Sequence, residues 1–438
     1  MRLIRLLKHD LAREVEDWKS AGIIDDEQAT TICARYGVDF HDLGRTSYGH
    51  GILVGLGYLF IGFALITLIG NNWDEIPRTL RMGSLISLTL AANLMGLYRY
   101  RQGEEASATM GWFLLGGLFY GASIMLIAQI YHIGEHYPDG MFWWALGILP
   151  IALLLRSVLL MLLVTTLAYI WFFVETSLNF YPTFFPLFLV SVGWLLSRGR
   201  QSNLLFISLV AGVGLWAEYS LAWYLSDWPG FRFNEELLVL GGGLTLFYYG
   251  VANWLLSHPN EAAKDYGTLL KVWVLRFLLL ALIILSFEEP WDELLGADWQ
   301  AVELITGLSL MLSAAALFLV SRAGRPLLPP LGFALLFLTA LTGVILLDGE
   351  QYALSLQVID NIILISLGIG LIVQGLHRHI SLYFYLGVII ILITGLMRYF
   401  DLVGNYIGTA ILFAVFSAIL LSAARYWKHY QARVEETV

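Results

Sequence analysis

The sequence predicts an all-α polytopic membrane protein of about 14 transmembrane helices with a short N-terminal cytoplasmic helical hairpin. Hydrophobic residues make up 58% of the 438 and charged residues only 13%, with a mean hydropathy of +0.72. A soluble fold built from that composition would have too little polar surface to cover its core. Apolar stretches of about 20 residues, the length that crosses roughly 30 Å of hydrocarbon, recur nearly end to end. The polar breaks between them alternate in charge sign, with acidic, Trp-bearing breaks such as NNWDEIP and FEEPWDELLGADWQ taking turns with basic ones such as YRYR and SRGRQ.

In chain order the head comes first. Residues 1–48 place Leu7, Leu11, Val15 and Trp18 at helical spacing before a stop at Gly22. Asp25 followed by Gln28 spells a capping box for a second helix through Tyr36, with Ala29, Ile32 and Cys33 on one face. A hairpin this small buries too little surface to stand alone, so docking on the membrane domain, on a partner protein or on a second copy is expected. It holds no Gly-rich phosphate loop, basic run or metal-ligand spacing, which argues against nucleotide or nucleic-acid binding. Cys33, the only cysteine, has no internal disulfide partner and reads as a small buried residue.

The membrane domain spans 49–426 and is followed by a cytoplasmic tail, 427–438. Its first seven spans fall near 51–70, 80–97, 111–131, 141–155, 158–174, 182–196 and 204–225. The second seven fall near 237–256, 269–287, 302–320, 327–347, 358–376, 382–396 and 407–424. MRLIRLLKHD is interrupted by charge before any run long enough for a cleavable signal, so the first span is expected to anchor the chain uncleaved.

Lys and Arg outside the spans gather on one face, from the seven before Tyr48 through Arg99, Arg156, Lys264, Lys271 and Arg378 to Arg433. The opposite face holds only Arg78, Arg81, Arg232 and Arg398, and collects acids that include Asp74, Glu75, Asp139, Glu175, Asp360 and Asp401. By the positive-inside rule both termini are cytoplasmic. The acids and their accompanying Trp73, Trp228, Trp291 and Trp299 read as solvated loops and interfacial aromatic belts, or as a negative vestibule that favours cations.

Polar residues within spans are the candidates for chemistry. Glu218, in VGLWAEYSLAWY, is the one carboxylate well inside a span. Ionising it near hydrocarbon costs several kcal/mol unless it is paired or wet. Snorkelling, interhelical hydrogen bonding and proton or cation coupling are its three readings. Gln129 and His132, three residues apart, share a helical face and would hold a polar ligand group or bond to neighbouring helices. His132 to His136 also spells H-x-x-E-H, but Gly134 within it and Pro138 after it break the helix a zinc site needs, so no metal is expected. Arg398 and Asp401 suggest a local outer ion pair, and Arg81 sits one turn inside its span with an outer acid or anionic head group in reach. Gly117-x3-Gly121 and Pro150 are explained by close helix packing and a kink.

Four segments carry a family resemblance: WKSAGIIDDEQATTI, LIGNNWDEIPR, AQIYHIGEHYPDGMFWWALGILPIALLLRS and YLGVIIILITGLMRYFDLVGN. Together they resemble the bacterial predicted membrane proteins grouped as domain of unknown function 2157. The resemblance implies a formal domain over roughly the first 150 residues and an inner-membrane protein with a cytoplasmic N-terminal hairpin. It carries no activity and no catalytic residues.

Three functions fit the residues. The first is a carrier or flippase for a polar or lipid-linked solute, with Gln129, His132 and Glu218 along the path. The second is a non-catalytic sensor or assembly scaffold whose head recruits a partner. The third is a membrane-embedded transferase using a lipid-linked donor, with Asp74 and Glu75 as outward acids, although the NNWDEIPR loop is short for such an enzyme. The expected partners are the bilayer, a lipid or polar solute, and a protein reached through residues 1–48, with no cofactor and no nucleic acid.

Overall fold

The computed structural model describes residues 8–35, 77–103, 106–131, 138–198, 201–225, 235–347, 350–378 and 381–401, together with Leu56, Gly57, Phe60 and Ile61. Regular structure among them is helical. In chain order the helices are α1 (Lys8–Ser20), α2 (Asp26–Ala34), α3 (Arg78–Gln102), α4 (Ala106–Tyr131), α5 (Asp139–Leu154), α6 (Val158–Ser177), α7 (Phe185–Arg198) and α8 (Asn203–Leu225). They continue with α9 (Glu235–Ser257), α10 (Glu261–Leu285), α11 (Glu289–Leu295), α12 (Val302–Arg322), α13 (Leu328–Leu346), α14 (Ala353–Arg378) and α15 (Ser381–Asp401).

Every predicted span from 80–97 to 382–396 overlaps one of these helices, although α3, over 80–97, is not among those long and apolar enough to cross a membrane. Most of 51–70, and all of 407–424, lie outside the described residues. Among the described residues eight helices are long and apolar enough to cross a membrane: α4, α6, α8, α9, α10, α12, α13 and α14. Helices α5 and α7 and the stretch Leu382–Arg398 of α15 are apolar but shorter. At 1.5 Å per residue, the 16 residues of α5 extend about 24 Å. Helices satisfy their own backbone groups, which is why apolar runs of this composition adopt no other form in lipid.

The chain divides into two compact units, one over 7–237 and one over 238–438 with the first six residues. In the first, α1 and α2 bury Val15, Ala29 and Cys33 between them, with Trp18 and Ile32 packed alongside. The expected capping box is formed, Gln28 N donating to Asp25 Oδ1 at 2.7 Å while Asp25 N donates to Gln28 Oε1 at 3.0 Å. Burial raises the Cys33 thiol above its ordinary pKa, and the charge of Glu16 adds to the effect.

The core of the first unit is drawn from α4 to α8, with Leu160, Met161, Val164 and Leu195 fully buried and Phe185 and Phe188 nearly so. Hydrophobic transfer contributes little to helix association in lipid, so close packing must hold these helices together. Gly121 of α4 receives the indole of Trp144, and Gly147 of α5 receives the ring of Tyr120. Ser157 caps α6 by accepting from Leu160 N, directly after a tight turn at Arg156 with φ 47°.

In the second unit α14 and α15 are a close pair. A Cβ on Gly387 would run into the Gly368 carbonyl, and one on Gly375 would meet the backbone of Phe384 at 2.5 Å. Helices α9 and α12 approach in the same way, since a Cβ on Gly250 would come within 2.7 Å of the Ala316 backbone.

Two features depart from the expected layout. Helix α10 begins at Glu261, eight residues before the predicted span at 269, so Lys264 and Lys271 stand on a helix and not in a basic loop. Lys264 Nζ pairs with Glu261 at 2.6 Å, and Lys271 Nζ donates to Asn253 Oδ1 at 3.2 Å and lies over the Tyr249 ring at 5.4 Å. Hydropathy marks only the apolar part of such a helix, whose polar first turns are held by these local partners. The second departure is α11, which forms inside the acidic break FEEPWDELLGADWQ. Its Trp291 is buried and donates Nε1–H to Leu285 O at 2.6 Å, so this residue packs against protein instead of serving as an interfacial belt.

Candidate functional site

Glu218 stands seven residues before the end of α8, about two turns or 10 Å from it. The residues after it lock the helix to its neighbours. Tyr219 donates its hydroxyl to Phe180 O at 3.2 Å, and the Ser220 and Tyr181 hydroxyls are 2.7 Å apart. Glu218 itself is half-buried, and its Oε2 is shut away with no hydrogen-bond partner among the described residues. The indole Nε1 of Trp216, two residues before, is likewise buried and unbonded. A carboxylate oxygen buried among aromatic helices without a donor is unfavourable until a ligand supplies one.

Gln129 lies in the last turn of α4, with its side chain outside the described set. His132, and with it the H-x-x-E-H stretch, falls outside the described residues. Among the described residues no group of three or more His, Cys, Asp or Glu is placed to hold a metal ion. Of the outer charges, Asp74 and Glu75 are outside the described residues, and Arg81 and Asp401 lie on α3 and α15 with side chains outside them.

Arg398, by contrast, sits in a tertiary setting. Its guanidinium lies over the Phe287 ring at 5.6 Å and acts electrostatically on Asp360. Asp360, expected on the outer face, stands seven residues into α14 and is only 4% exposed, with Oδ2 buried and unbonded. Its neighbours form a polar seam. Gln357 Nε2 and Asn361 Nδ2 both donate to Ser286 O, at 3.1 and 3.2 Å, and so bind α14 to the end of α10. Sequence reasoning missed this seam, although Gln357, Asp360 and Asn361 at i, i+3 and i+4 on one helical face are its signature.

Glu218 and Asp360, each with a buried carboxylate oxygen that has no hydrogen-bond partner among the described residues, occur at similar depth from a helix end, one in each unit. The first unit also contains the head, α3, α4 and α5 in succession, the part of the chain with the QIYH and WW segments. Residues 16–161 match the family Predicted membrane protein (DUF2157). The DUF2157 segment takes in most of the head, Gln129, His132 and the α4–α5 pair, and ends just inside α6. Glu218, Asp360 and Arg398 lie beyond it. Neither a curated protein nor a solved structure matches the chain.

Proposed function

We propose that this multi-pass membrane protein is a carrier or flippase for a polar or lipid-linked solute, seated in a bacterial inner membrane with both termini in the cytoplasm. The observation that carries this reading is the Glu218 carboxylate, within an apolar helix and with an oxygen that no donor among the described residues reaches. A purely structural carboxylate at that depth is a net cost, since burying one unpaired charge is unfavourable by several kcal/mol. A group that takes up and releases a proton, or meets a polar substrate, recovers that cost during each cycle. Asp360 beside Arg398 offers a second carboxylate of the same kind in the other unit. The excess of Lys and Arg in the breaks assigned to one side supports the orientation.

The experiment is reconstitution into vesicles, following both dithionite bleaching of lipids labelled on the head group and uptake of polar solutes. The wild-type chain is expected to speed one of these, and Glu218→Gln and Gln129→Ala to slow it at least tenfold. The reading fails if both variants match the wild type for every solute that moves.

A further inference from the structure

A groove of about 440 Å³ opens between the end of α5 and the middle of α7, lined by Leu153, Leu154, Arg156, Val190, Ser191 and Trp194. Leu154 and Val190 are 83% and 70% exposed and form its rims. The Ser191 hydroxyl is already donating to Leu187 O at 2.8 Å, so Arg156 is the one lining side chain that offers free polar groups. Among the described residues no hydrogen bond or ion pair engages its guanidinium, and no Asp or Glu lines the groove. The backbone at Arg156 would suit a glycine. Ser157 N donates to Ala152 O at 3.0 Å and Arg156 N to Leu153 O at 3.2 Å, the two bonds of a Schellman turn. Arg156 holds the left-handed position of that turn, with φ 47°, which helices commonly give to Gly because a side chain there strains the chain. A cation favours the helix dipole, but one in the last turn of α5 would do so without the strain.

We infer that this groove binds an anionic phospholipid, with the phosphate on Arg156 and an acyl chain along Leu154, Val190 and Trp194. A guanidinium presents a planar fork of donors that matches phosphate oxygens, and here that fork is unengaged. Val190 and Trp194 stand eight and four residues before Arg198, the end of α7, or about 12 and 6 Å along the helix. The apolar wall therefore runs inward from a basic end, as a lipid does from its head group. Trp194 sits at the depth where an indole lies beside head groups, and Arg198, on the same face of α7, adds a second positive charge there. A soluble phosphate would use Arg156 and leave the apolar walls uncovered. A zwitterionic lipid would bring its own cation toward two arginines. A neutral hydrocarbon would give the guanidinium nothing.

The inference stands apart from the carrier reading, because it concerns a bound lipid and is tested without transport. Bromine on an acyl chain quenches an indole that it touches, so Trp194 reports on the groove. The full chain in detergent micelles is titrated with brominated-chain phosphatidylglycerol and, separately, with brominated-chain phosphatidylcholine. The Trp194 contribution is the difference between wild type and Trp194→Phe. Phosphatidylglycerol is expected to quench it at a mole fraction at least fivefold lower than phosphatidylcholine. Arg156→Gln is expected to bring the two lipids within twofold of each other. Arg156→Gly is expected to do the same while its melting midpoint in lipid-free detergent holds or rises, since glycine suits the turn. Excess inorganic phosphate is expected to leave the quenching unchanged. Equal quenching by the two lipids in the wild type, or an undiminished preference in Arg156→Gln, overturns the inference. So does a preference lost only in variants whose midpoint falls, which makes Arg156 a structural residue. Displacement by inorganic phosphate identifies a soluble anion as the occupant, and a Trp194 that neither lipid reaches in a dimeric chain identifies a second copy; either result also overturns it.

Discussion

Trp144 of α5 lays its indole into the notch left by Gly121 of α4 and donates Nε1–H to Gly117 O at 2.8 Å. The two glycines of a Gly-x3-Gly spacing thus have separate duties, one giving space and the other a carbonyl. The reciprocal contact, Tyr120 against Gly147, makes the α4–α5 pair a two-way fit. This pair belongs to the DUF2157 segment, so its packing concerns what that segment specifies.

Gly121→Val is expected to force the indole out of its notch and destabilise the chain by about 1–3 kcal/mol, the usual cost of overpacking. Trp144→Phe keeps most of the ring, loses the hydrogen bond to Gly117 and should cost less, about 1 kcal/mol. Thermal unfolding in detergent, scored by loss of the monodisperse peak, ranks the two. The opposite order would mean that the hydrogen bond and not the notch holds the pair.

Glu218→Gln removes the cost of charging a buried carboxylate while keeping its shape, so stability is expected to hold or rise slightly. Glu218→Lys places a cation where no described acceptor waits and should cost about 3 kcal/mol or more. Comparing melting midpoints of the two variants checks this. A marked loss in Glu218→Gln would show that the ionised form has a protein partner.

Arg398→Gln takes the nearby cation from Asp360 and is expected to cost about 2 kcal/mol, between the value of an exposed pair and that of a buried one. Adding Asp360→Asn should restore most of it. A double-mutant cycle measures the coupling, and additive losses would show that the two groups act independently.

Cys33 reports on the head. Its folded thiol has a raised pKa, so the folded state favours the neutral form. That contribution is present below the unfolded thiol value, about 8.5, and is lost as pH rises through the folded one. At pH 8 the only cysteine should react with iodoacetamide far more slowly than in denaturant, and the difference should shrink steadily toward pH 10. Equal rates at pH 8 would show that α1 and α2 do not stay packed in solution.

The positions of the helices were legible in the sequence because apolar length is a local property, and 158–174 or 302–320 needs no neighbour to be recognised. The capping box at Asp25 and Gln28 was legible for the same reason. The start of α10 and the existence of α11 were not, since their polar turns depend on partners such as Asn253 and Leu285 O.

By itself, then, the sequence determined an all-helical membrane chain, the placing of its described helices and the uneven sorting of its charges. Tertiary structure decided which polar side chains matter inside it. A residue's place in a span sets its depth, but neighbouring helices set whether it meets lipid, a donor or a cavity. Asp360 was grouped with the outer loops by charge, and α14 folded against α10 and α15 makes it a buried acid. Glu175 was one outer acid among many until α5 and the approach to α7 closed an aromatic wall around it.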